Sequence, residues 1–375
     1  MKKYFLPIIT CMLLSCGDGS ETTTPETVDQ GKDRALVLAH YADNIIIPAY
    51  TNFKVKFDVM KTKSAAFTAK PDLATLTEFR AAWIDAYTEW QKVELFDFGP
   101  AEKETIRSFY NIYPTNVNNI LENIDNTSAN LEVPASYANQ GFPALDYLLN
   151  GVGVTDAQIL AFYTANSAQG QKRLAYITRL TDRMSLLLTK VTTDWNGTYR
   201  DTFVSKTGLD IGSSTSLMIN GLVLHYERFI RSGKFGIPSG AMLNGVVSPE
   251  KVEAFYKKDL SKTLALTAHQ AYVDYFNGKN FKTGVEGPSI KTYMDELKAK
   301  DAVSGKMLSE LINAQFEVSK TKINALKPNF YEEVKTNNTA MQAVYTEMQN
   351  VIKMLKVDMT SAMSITITYT DNDGD

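Results

Sequence analysis

The chain has 375 residues, with 39 Lys and Arg against 42 Asp and Glu and a net charge of −3. Its bases are dispersed rather than clustered, so there is no electrostatic footprint for a phosphate backbone and a nucleic-acid partner is excluded. Both cysteines, Cys11 and Cys16, sit at the very start of the chain, which takes disulfides, thiolate catalysis and cysteine-held metals away from the folded part.

Lys2 and Lys3 precede an apolar run from Tyr4 to Leu14 that is too short to cross a bilayer. Followed by Leu13-Leu14-Ser15-Cys16-Gly17, it reads as a lipoprotein export signal over residues 1–15. Cys16 is then the lipid-bearing residue that anchors the chain to a membrane. Residues 16–30 form a polar, acidic, Thr-rich tether that reaches roughly 50 Å when extended. This address suits an outer membrane lipoprotein facing either the periplasm or the cell surface.

Helical periodicity dominates the rest of the chain. A helix is expected over 33–60, kinked or ended by Pro48. Phe79, Ala82, Trp83, Ala86, Tyr87, Trp90 and Val93 form an aromatic stripe at helical spacing. Helices are expected next at 102–124, 143–149 and 155–165, and then a seam of Leu174, Ile177, Leu180, Met184, Leu187, Leu188 and Val191. Later helices are expected at 212–232, 249–276, 288–298, 302–326 and 329–356, the last carrying Met341, Val344, Tyr345, Met348, Val351, Ile352 and Leu355 on one face. The alternation Ser364 to Tyr369 is the one clear strand signal, too isolated to found a sheet. The fold class is therefore all-α. The Gly, Ser and Thr-rich stretch from Trp195 to Ser216 reads as a junction, which divides the chain into helical bundles at 31–200 and 210–375 with a cleft between them.

Several patches occur in a telling order: Leu38-Ala39-His40-Tyr41-Ala42-Asp43 with Ile47-Pro48-Ala49-Tyr50; Phe79-Arg80-Ala81-Ala82-Trp83 with Trp90 and Phe98-Gly99-Pro100; Gly141-Phe142-Pro143-Ala144-Leu145-Asp146-Tyr147; Lys234-Phe235-Gly236-Ile237-Pro238; and Lys356-Val357-Asp358-Met359 with the acidic tail. In that order they resemble the imelysin family. The resemblance implies an exported protein of two similar helical bundles, associated with bacterial iron acquisition, whose founding members were described as metallopeptidases. It also implies a GxHxxE signature, whose His and Glu share one helix face and with it a metal ion or a proton. Here Gly141 is kept, Pro143 stands where that His would be, and Asp146 replaces the Glu. Proline offers neither a metal lone pair nor a titratable proton.

The expected functional cleft gathers Gly141, Pro143, Asp146, Trp83 and His40, the last because the family's first helix is expected to border the signature. Asp146, in the first turn of a helix opened by Pro143, is expected to be ionised by the helix dipole. It is then a ligand for a divalent metal or iron, aided by Glu89, Glu94 or Asp97, or else a helix cap or a partner of Arg80. His40, His225 and His269 are the only histidines, none at ligand spacing, and neither HExxH nor GxSxG occurs. Asp371, Asp373 and Asp375 do not fit a calcium loop and read as an acidic tail. The functional expectation is a binding or accessory component that meets iron, haem or an iron-uptake receptor. The alternative is an imelysin-type metallopeptidase acting outside the cytoplasm.

Overall fold

Apolar residues recurring every three or four positions line one face of a helix, and burying those faces against each other organises this chain. The computed structural model describes residues 30–370. The export signal, Cys16, nearly all of the tether and the tail with Asp371, Asp373 and Asp375 lie outside the described residues.

The first helix, Gln30–His40, passes through a π-helical turn, Tyr41–Ile46, into the helix Ile47–Ala69. Pro48 does not end it: the helix runs on through the proline, which lies just after the π-helical turn. Proline lacks the N–H that would bond the carbonyl of Asn44, and that carbonyl instead accepts from the backbone N–H of Phe281 at 2.8 Å. The aromatic helix Leu73–Trp90 opens with a reciprocal cap between Asp72 and Thr75. Its stripe of Phe79, Ala82, Trp83, Ala86, Tyr87 and Trp90 is buried throughout. It packs on Ile47–Ala69, which in turn packs on the long helix Ser167–Asn196.

In the later half, the π helix His225–Gly236 packs on Phe330–Lys353, that helix on Leu308–Ala325, and the latter on Ser261–Phe276. Phe316 sits among them with the rings of Tyr226, Tyr272 and Phe276 within 5.8 Å, centroid to centroid. The first helix crosses to this half. It packs on Ser214–Leu224 and Ile290–Glu296, and just beyond it Tyr41 donates its hydroxyl to the carbonyl of Tyr275 at 2.7 Å. Buried apolar residues from both groups of helices form one continuous core.

Other expected elements differ as well, the helix expected at 302–326 beginning only at Leu308. The stretch 102–124 breaks into Pro100–Lys103, Ile106–Tyr110 and Val117–Asp125, with Thr105 at φ 51° between the first two. The expected helix 249–276 is helical only from Ser261; before it lie a short turn at Pro249–Lys251 and an irregular segment in which Ala254 has φ 55°. Within the expected junction, Tyr199–Ser205 is a helix that packs on Ser167–Asn196 and on the first helix. No strand occurs among the described residues: the main chain of the Ser364–Tyr369 stretch is held instead by the side chain of Asn220, which donates to the carbonyl of Thr366 and accepts from the N–H of Thr368.

Phe316 is fully buried, so Phe316→Ala should cost about 3–5 kcal/mol of stability, read from urea unfolding followed by circular dichroism. A loss below about 1 kcal/mol would contradict this account of the later core.

Candidate functional site

Gly141 fixes the signature in space. Its φ is +77°, and a Cβ there would lie 2.3 Å from the carbonyl oxygen of Tyr110, so the chain turns at a place open only to glycine. The helix Gly141–Asp146 starts at that turn and passes into a π-helical turn, Tyr147–Gly151. Pro143 is therefore not the opening residue, and Asp146 ends the helix instead of lying in its first turn. Phe142 stacks on Tyr87 with centroids 4.6 Å apart and planes at 4°, and its carbonyl accepts from Trp83 Nε1 at 3.3 Å. Gly141, Pro143, Asp146 and Trp83 thus come together, with Trp83 as a buried support.

Asp146 is 1% exposed. Its Oδ1 accepts from Asn150 Nδ2 at 3.0 Å and its Oδ2 from the backbone N–H of Tyr256 at 2.9 Å. Burial pushes its carboxyl up to about 7, outweighing the hydrogen bonds from Tyr256 and Asn150 that favour the charged form. The helix-dipole expectation of a readily ionised Asp therefore fails, because desolvation is the larger effect at this depth. Arg80 is not its partner: it pairs with Asp156 at 2.7 Å and donates to the carbonyl of Leu149. A cavity of about 190 Å³ opens beside Asp146, lined also by Tyr113, Pro143, Glu250, Phe255 and Tyr256.

His40 lies elsewhere. Its Nε2 is 2.8 Å from the carbonyl oxygen of Gly278 and its Nδ1 is 3.2 Å from Asn44 Nδ2, so both ring nitrogens serve the packing of the first helix on the later half. The cleft expected from sequence loses this member, because the first helix borders residues 278–293 and not the signature. His269 is wholly buried between Tyr226 and the carbonyl of Phe316, and burial depresses it to about 4, which keeps it neutral.

Nor do the expected carboxylates meet Asp146. Glu89 accepts from Asn52 and pairs with Lys92 at 2.8 Å, and Asp97 pairs with Arg107 at 3.0 Å. Glu94 joins a buried polar network that sequence reasoning missed. Asn111 Nδ2 donates to Glu94 Oε1 at 3.1 Å and to Glu253 Oε1 at 2.9 Å. Gln91 Nε2 donates to the same Glu253 oxygen at 3.0 Å, and Tyr87 Oη lies 3.1 Å from it. Lys234 pairs with Glu253 and donates to Gln91 Oε1 at 2.8 Å. His225 Nε2 stands 3.9 Å from Glu94 Oε2, too far for a hydrogen bond. Burial opposes ionisation of Glu94, yet His225, Lys234 and Arg107 together hold it below the usual carboxylate range. The signal for two of these residues was present in the sequence, since Gln91 and Glu94 continue the buried aromatic stripe four residues beyond Tyr87 and Trp90.

A resident metal does not fit the signature. Pro143 has no donor atom, both oxygens of Asp146 already accept from N–H groups, and among the described residues no three His, Cys, Asp or Glu side chains gather as a ligand set.

The fold and this turn define an all-helical protein built around a glycine-pinned signature helix. A family model described as imelysin matches residues 46–356, and the chain belongs to the imelysin family. It is 22% identical over 141 residues to Iron-regulated protein A of Synechococcus elongatus, a match spanning 38% of this chain and 36% of that protein. An imelysin-like protein from Psychrobacter arcticum 273-4 has the same fold, with TM-score 0.67, 14% identity and coverage of 90% of this chain and 98% of the other. A protein from Parabacteroides distasonis described as an iron-regulated protein A precursor gives 0.69, 16%, 88% and 95% for the same quantities.

The folded state keeps a proton on Asp146 that the unfolded chain releases near 3.8, so the wild type loses stability as pH rises from there through about 7. Asp146→Asn keeps the shape and, with Asn150 reversed, both hydrogen bonds. Thermal melts should show the variant gaining on the wild type across that pH range; a difference that stays constant with pH would contradict the protonated buried carboxyl.

Proposed function

We propose that this imelysin-family chain is a binding or accessory component of iron or haem acquisition, carried on the outer membrane by a lipid at Cys16, and that it does not hydrolyse peptides. The observation that carries the reading is the signature itself. Pro143 puts no imidazole at the signature, so no side chain at that position can ligate a metal or take a proton, and the Asp146 carboxyl accepts from the N–H groups of Tyr256 and Asn150. Gly141, Phe142 and Trp83 pack the signature firmly, and the cavity beside Asp146 is the surface this reading offers to a ligand. The names of the iron-regulated relatives support the choice of iron as cargo. The partner at the membrane is then an iron-uptake receptor or the carrier it serves.

A metallopeptidase reading is favoured by one observation, the Asp146 carboxyl at about 7, which is the range a general acid or base needs at neutral pH. That reading still lacks a group to hold and activate water.

The two readings separate in one set of assays. The chain, purified without chelator, should show no EDTA-sensitive cleavage of casein or short peptides, and should bind ferric iron or haem saturably, followed by quenching of tryptophan fluorescence. EDTA-sensitive cleavage by the wild type that disappears in both Asp146→Ala and Asp146→Asn would overturn the proposal in favour of the peptidase. Absence of both iron and haem binding would overturn the acquisition role.

A further inference from the structure

Tyr113 also lines a second cavity, of about 180 Å³, which includes neither Pro143 nor Asp146. Both halves of the chain build it: Glu94, Arg107 and Asn111 from one, and Arg228, Phe229 and Lys251 from the other. Glu94 and Asn111 are 4% and 5% exposed, so the polar floor is part of the core.

The floor holds an incompletely used carboxylate. Glu94 Oε1 accepts from Asn111, whereas Oε2 takes no hydrogen bond within 3.5 Å among the described residues; His225 Nε2 stands 3.9 Å from it, and the charges of Lys234 and Arg107 act on the carboxylate from farther away. His225 is itself 1% exposed, and neither of its ring nitrogens has a hydrogen-bond partner among the described residues. A buried carboxylate oxygen and a buried imidazole left in this state call for a further polar group.

The rim carries the opposite need. Lys251 makes no ion pair or side-chain hydrogen bond among the described residues. Arg228 uses one nitrogen, on the carbonyl of Thr370 at 2.7 Å. Arg107 commits its Nε to Asp97 and lays its guanidinium over the Phe229 ring at 3.5 Å from the centroid, so it is a held wall more than a free charge. The remaining walls are Ile112, Phe229 and Ile237. A lone metal cation is disfavoured by three positive side chains. A simple carboxylate would satisfy the rim and leave the Glu94 oxygen bare.

We propose that this cavity binds a small zwitterion of the α-amino-acid type with an apolar side chain, its ammonium group on Glu94 and its carboxylate on Lys251 and Arg228. The side chain lies against Ile112, Phe229 and Ile237. Binding at both ends is what separates this ligand from its halves, since each half leaves one buried or charged group unpaired. The site is independent of the iron reading and of the signature cavity.

Isothermal titration of the full chain with leucine, 4-methylpentanoate (leucine without its amine) and 3-methylbutylamine (leucine without its carboxylate) tests this. Leucine should bind saturably and each fragment more weakly by at least roughly tenfold, one charge-assisted contact being worth about that factor. Lys251→Ala, a half-buried rim change that leaves the core intact, should weaken leucine roughly tenfold and leave 3-methylbutylamine unchanged. Glu94→Gln should abolish the preference for leucine over 4-methylpentanoate. Equal affinity for leucine and 4-methylpentanoate in the wild type, no effect of Lys251→Ala on leucine, or no binding of any of the three overturns the proposal.

Discussion

Lys234 and Glu253, each with a side chain 2% exposed, form an ion pair in the core between the two groups of helices. A pair buried this deeply gains little over an apolar alternative, but removing one partner strands a charge in a medium that cannot solvate it. Gln91, Asn111 and Tyr87 complete the pair from the first half of the chain. Glu253 therefore cannot move without unpairing groups on both sides, and the segment around it is held. This explains why residues 252–259 are not helical despite a helical pattern. The carbonyl of Glu253 accepts from Ser261 Oγ at 2.6 Å, Ala254 turns through a positive φ, and the N–H of Tyr256 is delivered to Asp146.

The signature is thus clamped from two directions. Tyr87 and Trp83 on the aromatic helix fix Phe142 from below, while the segment carrying Tyr256 fixes Asp146 from above. A carboxylate in this position has become a structural acceptor, and its preference for the proton comes from depth rather than from any neighbouring acid. With Pro143 offering nothing to share a metal or proton with Asp146, the carboxyl is held by the N–H groups of Tyr256 and Asn150, with Lys257 also favouring its charged form.

Much of the fold was legible, and the reason is spacing. Every member of the 174–191 seam and every residue of the aromatic stripe is buried as its period requires. What was not legible depends on partners distant in sequence. Pro48 lies within a continuous helix, and the carbonyl it leaves free is taken by Phe281, remote along the chain. His40 was drawn toward the signature by resemblance, while the physical pull on its ring comes from Gly278 and Asn44. The buried network was half legible: Gln91 and Glu94 continue an apolar stripe, an anomaly that marks a polar core site. Lys234 and Glu253 show no such register, and their pairing was invisible. The protonation of Asp146 was misjudged because a helix dipole is visible in sequence and depth of burial is not.

The central claim is that the Lys234–Glu253 network holds residues 252–257 against the signature. Native-state hydrogen exchange of Lys234→Met tests it most directly, with the amide of Tyr256 as the reporter and the helix Ser167–Asn196 as the internal control. The account predicts that Tyr256 exchanges far faster in the variant while the control helix keeps its protection. Unchanged protection at Tyr256 would contradict it and leave the signature's geometry to the aromatic helix alone.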